Sequence, residues 1–296
     1  MKLSVVVPSK NHGRFISAAL ESIVQQYRHD NLEVLVQDGE SDDGTCEILE
    51  RYSRYPFIRI FRERDHGQTD ALIRGFRRAS GDVYCWLNSD DMLCAHTVER
   101  VLCAFREHPE SDVVYGEALF VDEAGQVLGP YPTAKPLLKN LRNRCVLSQP
   151  SVFFRGEAYR QVGGLRATRQ FCMDYELWTR FALKRFSFFR LPEVLSYTRL
   201  HADTKTAQFR SEFVDEICVM QDEVLGGVSP MWELYRMARQ PDTKGGTSVW
   251  RRFVRAVIRF ALERPSTIPG IGLALSERAL AEFNARIRVQ APRKDD

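Results

Sequence analysis

Two acidic clusters follow apolar runs, and both could meet a cation or a polar ligand. The sharper is Trp86-Leu87-Asn88-Ser89-Asp90-Asp91. Adjacent carboxylates straight after a buried strand are costly unless something cationic meets them. A divalent hard cation with oxygen ligands is the natural partner, and as a Lewis acid it would neutralise a diphosphate leaving group. The plainer alternative is a helix start before residues 95–105, where one Asp would suffice. The second cluster is Gln37-Asp38-Gly39-Glu40-Ser41-Asp42-Asp43-Gly44-Thr45. Asp38 could accept from a base N–H or a ribose hydroxyl, or could simply form a turn with Gly39.

Alternating elements would position these acids. Leu3–Val7 is apolar and β-branched apart from Ser4, the pattern of a strand buried on both faces. Helical spacing follows over 14–27, with Phe15, Ala19, Ile23 and Tyr27 on one stripe. Further strands are predicted at Leu32–Val36, Ile58–Phe61 and Val83–Leu87. Helices are predicted at Thr45–Tyr52 and Thr69–Arg78, the latter stopped by Gly81. The alternation predicts an α/β fold, a mostly parallel sheet with helices on both faces. Such sheets bind ligands at the carboxyl ends of their strands, where Asp38, Asp90 and Asp91 lie. Beyond residue 95 the pattern is mixed: a helix at Val98–Phe105, a short strand at Val113–Tyr115, a hairpin turn at Gly125, and a helix Asp174–Leu183. Past 210 the segments Met231–Ala238, Trp250–Leu262 and Ser276–Ile287 read as helices, with a linker at Gly245-Gly246-Thr247.

The 296 residues suffice for one large α/β domain and an appendage, and 44% hydrophobic with 27% charged residues is an ordinary globular balance. A net charge of +3, with no basic run interleaved with aromatics, gives no basis for nucleic-acid binding. The seven cysteines form no Cys-x-x-Cys pair, which favours reduced thiols over disulfides or a zinc knuckle. The apolar N-terminus is too short for a signal peptide, and no stretch approaches a membrane span.

In order and spacing, these segments together resemble glycosyltransferase family 2. The resemblance rests on Val5-Val6-Val7-Pro8-Ser9-Lys10-Asn11, Asp38-Gly39, Ser41-Asp42-Asp43-Gly44-Thr45 and Gly67-Gln68-Thr69-Asp70-Ala71. It continues through Gly81-Asp82, Leu87 to Asp91, Gln149-Pro150-Ser151, Gly163-Gly164 and Asp174-Tyr175-Glu176-Leu177-Trp178, covering roughly residues 1–205. It implies a GT-A fold over 1–210, with 211–296 a helical C-terminal region. The implied activity is inverting transfer of a sugar from a nucleotide-diphosphate sugar, a UDP-sugar first, to a hydroxyl acceptor in bacterial surface or exopolysaccharide synthesis. Pro8, Ser9, Asn11, Asp38, Gln68, Asp70, Asn88 and Asp90 would bind the nucleotide sugar. Asp91, Asp90 and His201 would hold Mn2+ or Mg2+, and Asp174 would be the general base. Asp174 also reads as a helix cap, His201 as a surface histidine, Glu176 as a solvent-facing residue or a partner of Arg180, and Trp178 as core. Many family members carry Ala-Arg-Asn where this chain has Ala71-Leu72-Ile73, so Arg74, or Asp70 and Gln68, would have to replace a donor-site arginine.

The segment 250–262 places Arg251, Arg255 and Arg259 opposite Trp250, Phe253, Val254, Val257, Ile258 and Ala261. Such a helix could lie on an anionic membrane surface at the cytoplasmic face, near a lipid-linked glycan acceptor, or could pack on the catalytic domain. Without the Gln-x-x-Arg-Trp motif of processive synthases, one sugar per encounter is expected. The competing readings are a metal-dependent nucleotidyltransferase and a non-catalytic nucleotide-sugar-binding subunit.

Overall fold

The computed structural model describes residues 1–27, 31–205 and 210–239. The expected linker at 245–247 and helices at 250–262 and 276–287 lie outside the described residues. The chain divides into two compact units, Met1–Leu141 with Cys145–Arg199, and Arg142–Arg144 with Leu200 onward.

The first unit begins with the expected alternation: β1 (Leu3–Ser9), α1 (Gly13–Val24), β2 (Leu32–Asp38), α2 (Thr45–Glu50), β3 (Ile58–Arg62), α3 (Gln68–Arg78) and β4 (Val83–Trp86). These strands pair in the order β3-β2-β1-β4, all parallel. Every residue of β1, β2 and β4 is buried, as their mostly apolar runs suggest. Val5 and Val7 join the core under α1, which contributes Ile16, Ala19, Leu20 and Ile23. Val6 points the other way, towards α3, because successive strand residues alternate faces. A Cβ at Gly75 of α3 would collide with Val6 Cγ1, so glycine lets that helix approach the sheet.

Gly81 does not end α3 in the expected way. The helix closes on Ala79 in extended conformation. Gly81 passes so close to β1 that a Cβ would meet the Lys2 carbonyl oxygen at 2.7 Å. The requirement is for space rather than for a left-handed cap.

The rest of the unit comprises β5 (Met92–Leu93), α4 (Thr97–Glu107), β6 (Val113–Val121), β7 (Val127–Pro130), α5 (Leu138–Leu141), a 3-10 turn (Gln149–Ser151), β8 (Val152–Arg155), α6 (Gly156–Gln161), α7 (Met173–Leu183) and β9 (Phe188–Arg199). The sheet continues β4-β8-β6-β9-β5, with β7 hairpinned on β6 through the turn at Gly125, where φ is 84°. Here β6 and β9 run parallel, and the other pairs are antiparallel. The strand expected at Val113–Tyr115 extends to Val121 because β9 covers its length. In β9, Pro192 and alternating charges hide a strand from sequence reading. The opposite face of the sheet carries an aromatic core. Trp86 stacks on Trp178 of α7 with centroids 5.6 Å apart and planes at 19°, and Phe154 packs against both.

The second unit contains α8 (Arg210–Leu225) and α9 (Pro230–Arg239), the latter close to the expected helix. All seven cysteines are free thiols. Among the described residues no helix is long and apolar enough to cross a membrane.

Candidate active site

The carboxyl ends of β1, β2 and β4 carry the site. Ser9, the last residue of β1, lies in register with Asp38, the last of β2, with Pro8 one position earlier. Ser9 is buried and its Oγ has no hydrogen-bond partner. Asp38 is 1% exposed. Its Oδ1 accepts from the Ser41 N–H at 2.9 Å and its Oδ2 from Ser41 Oγ at 2.7 Å, an aspartate-built turn. The two strand-end loops lock together: Asn11 N–H donates to Ser41 Oγ (2.9 Å) and Asp42 N–H to Asn11 Oδ1 (3.0 Å). Asn11 and Glu40 hold positive φ of 54° and 60°. Such non-glycine outliers concentrate at ligand sites.

After β4, Asp91 is 3% exposed while Asp90 is partly open. Neither acid caps the following helix, whose N-cap is His96 without any side-chain cap bond. Asp91 Oδ1 accepts the Arg199 N–H at 2.9 Å, and Oδ2 accepts from Asn88 Nδ2 at 3.2 Å. Gln68 Nε2 donates in turn to Asn88 Oδ1 at 2.7 Å, tying the start of α3 to the acid pair. Among the described residues no cationic side chain forms an ion pair with Asp91. Burial, and then the charge of Asp90, push its carboxyl well above the usual range, against these hydrogen bonds. A buried acid in that state is stabilised as the anion by an arriving cation.

An oxygen-only pair of carboxylates suits a hard cation, since Mg2+-like ions need only one or two carboxylates plus phosphate oxygens. Among the described residues no group of three or more His, Cys, Asp or Glu side chains is placed to hold a metal ion. Asp90 and Asp91 therefore fit a cation that shares its ligands with a bound diphosphate. His201 is buried in the second unit rather than on a surface loop.

Asp174 is the second residue of α7, and the N-cap is Cys172. Its Oδ1 takes the Tyr175 N–H at 2.7 Å. Trp178, one turn later, shares that helical face, and its stack on Trp86 binds α7 to the strand that delivers Asp90 and Asp91. The loop before α7 is also tied down: Thr69 Oγ1 of α3 donates to the Arg169 carbonyl at 2.5 Å. Glu176 is fully buried and pairs with Arg180 through Nε at 2.9 Å and Nη2 at 2.7 Å. Arg180 also donates to the Val162 and Gly164 carbonyls.

Asp70 is engaged by the loop before α3 and by its own helix. It accepts from Arg74 Nη2 at 2.7 Å and from the His66 N–H. Burial opposes ionisation, but the Arg74 and His66 bonds prevail and hold the carboxyl below its ordinary value. Arg74 is further engaged by Glu63 and the Arg64 carbonyl, so the position-shifted arginine is bound to its own helix and to the segment just after β3. Sequence reading missed Ser41, which closes the Asp38 turn, and Arg199, which holds the acid pair. Neither residue type announces such a role.

A family model, Glycosyl transferase family 2, matches residues 4–157, just over half of the chain. The chain belongs to glycosyl transferase family 2. This family 2 chain is 26% identical over 216 residues to a glycosyltransferase of Rickettsia felis, covering 68% of this chain and 34% of that protein. It is 30% identical over 176 residues to a PGL/p-HBAD biosynthesis glycosyltransferase of Mycobacterium tuberculosis, covering 58% of this chain and 66% of that one. It thus spans about a third of the Rickettsia relative and just under two thirds of the mycobacterial one. Among solved structures, the mannosyltransferase PcManGT from Pyrobaculum calidifontis, in complex with GDP-Man and Mn2+, superposes with a TM-score of 0.61 at 17% identity, over 95% of this chain and 80% of that one. S. aureus TarS 1–349 with UDP-GlcNAc gives 0.60 at 17% identity, over 80% and 70%. The fold is GT-A.

Proposed function

We propose that this family 2 chain is an inverting glycosyltransferase, moving a sugar from a nucleoside-diphosphate sugar, a UDP-sugar first, to a hydroxyl acceptor in surface or exopolysaccharide synthesis. The observation that carries the reading is the Trp86–Trp178 stack. It couples the element bearing Asp174 to the strand that leads into the turn of Asp90 and Asp91. An acid able to take a proton and an acid pair able to hold a cation thus rise from one packed unit. The two structural relatives hold UDP-GlcNAc and GDP-Man, which supports the donor class.

In this reading Pro8, Ser9, Asn11 and Asp38 line the nucleotide pocket, and Gln68 and Asn88 set the orientation of the acid pair. A bound Mn2+ or Mg2+, held by Asp91 with Asp90, supplies charge relief on the departing diphosphate. Asp174 accepts the acceptor hydroxyl's proton as the new C–O bond forms at the anomeric carbon and the bond to the diphosphate breaks. Residues 1–210 form the catalytic domain, and 211–296 the appendage whose 250–262 segment would meet the cytoplasmic membrane surface.

A thermal-shift screen of UDP- and GDP-sugars with Mn2+ or Mg2+ tests donor and cation together, because stabilisation follows ligand affinity. Product analysis tests the reaction. Released nucleoside diphosphate supports sugar transfer, whereas pyrophosphate would assign the chain to nucleotidyl transfer. Asp174→Asn should keep donor-induced stabilisation and lose about 10²–10⁴-fold in turnover. Unchanged turnover in this variant would remove Asp174 from the chemistry.

A further inference from the structure

Arg199 is the last residue of β9, is 6% exposed, and gathers more of the site than any other side chain described above. Its backbone N–H donates to Asp91 Oδ1 at 2.9 Å. Its Nε donates to the Asp90 carbonyl at 2.9 Å. Nη1 reaches the carbonyls of Asp122 (3.2 Å) and Glu123 (2.6 Å), at the turn between β6 and β7. Nη2 approaches Met92 Sδ at 3.4 Å, and the guanidinium carbon lies 5.0 Å from the centroid of the Phe15 ring of α1. One planar fork therefore joins the acid turn, β5, the β6–β7 turn and the start of α1.

This arrangement is not that of an ion pair. The guanidinium meets backbone carbonyls, and the carboxylate of Asp91 receives only the backbone N–H of the same residue. The side chain thus fixes where the Asp90–Asp91 peptide sits without entering an ion pair with the Asp91 carboxylate. We propose that Arg199 is a positioning residue for the cation site, holding the acid pair in its cation-binding geometry through the Asp90 carbonyl and the β6–β7 turn. This rests on the proposed cation-dependent reading of Asp90 and Asp91.

Lysine keeps the charge but not the fork, since a single ammonium cannot span the acceptors set for Nε, Nη1 and Nη2. Groups that orient metal ligands typically change metal affinity by about 10–100-fold when replaced. Arg199→Lys should therefore weaken Mn2+ binding by about 10–100-fold. Turnover should recover at high Mn2+, so that the apparent constant for the metal rises far more than the limiting rate falls.

A matched control exists within the same unit. Arg155 also bridges carbonyls, those of Ser111 (2.8 Å), Pro109 (3.0 Å) and Phe105 (3.4 Å), and packs over the Phe105 ring, without contact to either acid. Arg155→Lys should lower thermal stability and leave Mn2+ affinity within about twofold, as expected for a site remote from the metal ligands. Free Mn2+ is measured by electron paramagnetic resonance in the presence of saturating UDP or GDP, whichever stabilises the wild-type chain, with circular dichroism confirming the fold. Phe15→Leu, which removes the ring under the guanidinium and alters no charge, should give a smaller weakening in the same direction and serves if Arg199→Lys does not fold. Wild-type-like Mn2+ affinity in the folded Arg199 variant, or in Phe15→Leu should that variant stand in, overturns the positioning role. Equal weakening in Arg155→Lys also overturns it, by making the effect one of general stability. Absence of Mn2+ binding by the wild-type chain overturns instead the cation-dependent reading beneath it.

Discussion

Two buried acids at opposite ends of the same parallel strands have opposite fates. Glu33, near the start of β2, is 5% exposed, and Asp91, just past the end of β4, is 3% exposed. Glu33 is surrounded by its own chain: Ser4 Oγ donates at 2.5 Å, Ser80 N–H at 2.6 Å, and Lys2 and Arg59 each at 3.2 Å. Burial works to raise its pKa, but the hydrogen bonds from Ser4 and Ser80, with Lys2, prevail and lower it to about 2. Asp91 has two N–H donors and, among the described residues, no cationic side chain in an ion pair with it, and burial drives its pKa up. At the amino ends of the strands the fold satisfies its buried charge internally. At Asp91, past the carboxyl end of β4, burial outweighs the donors that the described residues supply, and perturbed groups of that kind concentrate at functional sites.

The comparison breaks first at Asp91. Asp91→Asn should cost at least about 10²-fold in cation-dependent turnover, since a Lewis acid supplies several kcal/mol. The same change should raise the melting temperature of the metal-free chain by about 2–4 °C, if the buried charge costs about 1 kcal/mol. A metal-free variant less stable than wild type would show that Asp91 is satisfied internally after all, as Glu33 is.

Glu33→Gln should do the reverse, lowering stability by about 2 kcal/mol near pH 7 and leaving Mn2+ binding alone. The carboxyl is held below its ordinary value, so the stabilisation is complete above pH 4.5 and disappears as pH falls towards about 2. Denaturant melts across that window should show the two chains converging at the acid end. A constant difference down to pH 2 would assign the effect to packing rather than charge.

The smallest change tests one arm of the Glu33 network. Arg59 is 49% exposed, and Arg59→Met should cost less than about 1 kcal/mol, a loss that salt further reduces. A larger cost would mean that Glu33 depends on this cation more than on its buried hydroxyl and amide donors.

The strands β1, β2 and β4 were legible because each is buried on both faces and so reads as a mostly apolar run, broken only by buried polar residues such as Ser4 and Glu33. Asp38, Asp90 and Asp91 were legible with them, since a turn following such a run can only emerge at a strand end. β9 was not legible: Pro192 and the alternation of Arg190 and Glu193 with apolar residues resemble a loop, and only pairing along β6 makes them a strand. Arg199 was illegible for the same reason, since its hydrogen-bond partners lie 76 to 109 residues away along the chain.

By itself, then, the sequence determined the alternating half of the sheet, the acids at its carboxyl ends, and the family to which their spacing corresponds. Local periodicity and composition carry that information. Tertiary structure alone decided which acids the protein neutralises for itself. Solvation and charge partners are contributed by β6, β9 and the helices from remote stretches of chain. Residue type fixes that an Asp can bind a cation, but only the low-dielectric surroundings and the donors packed around it decide whether one is still needed.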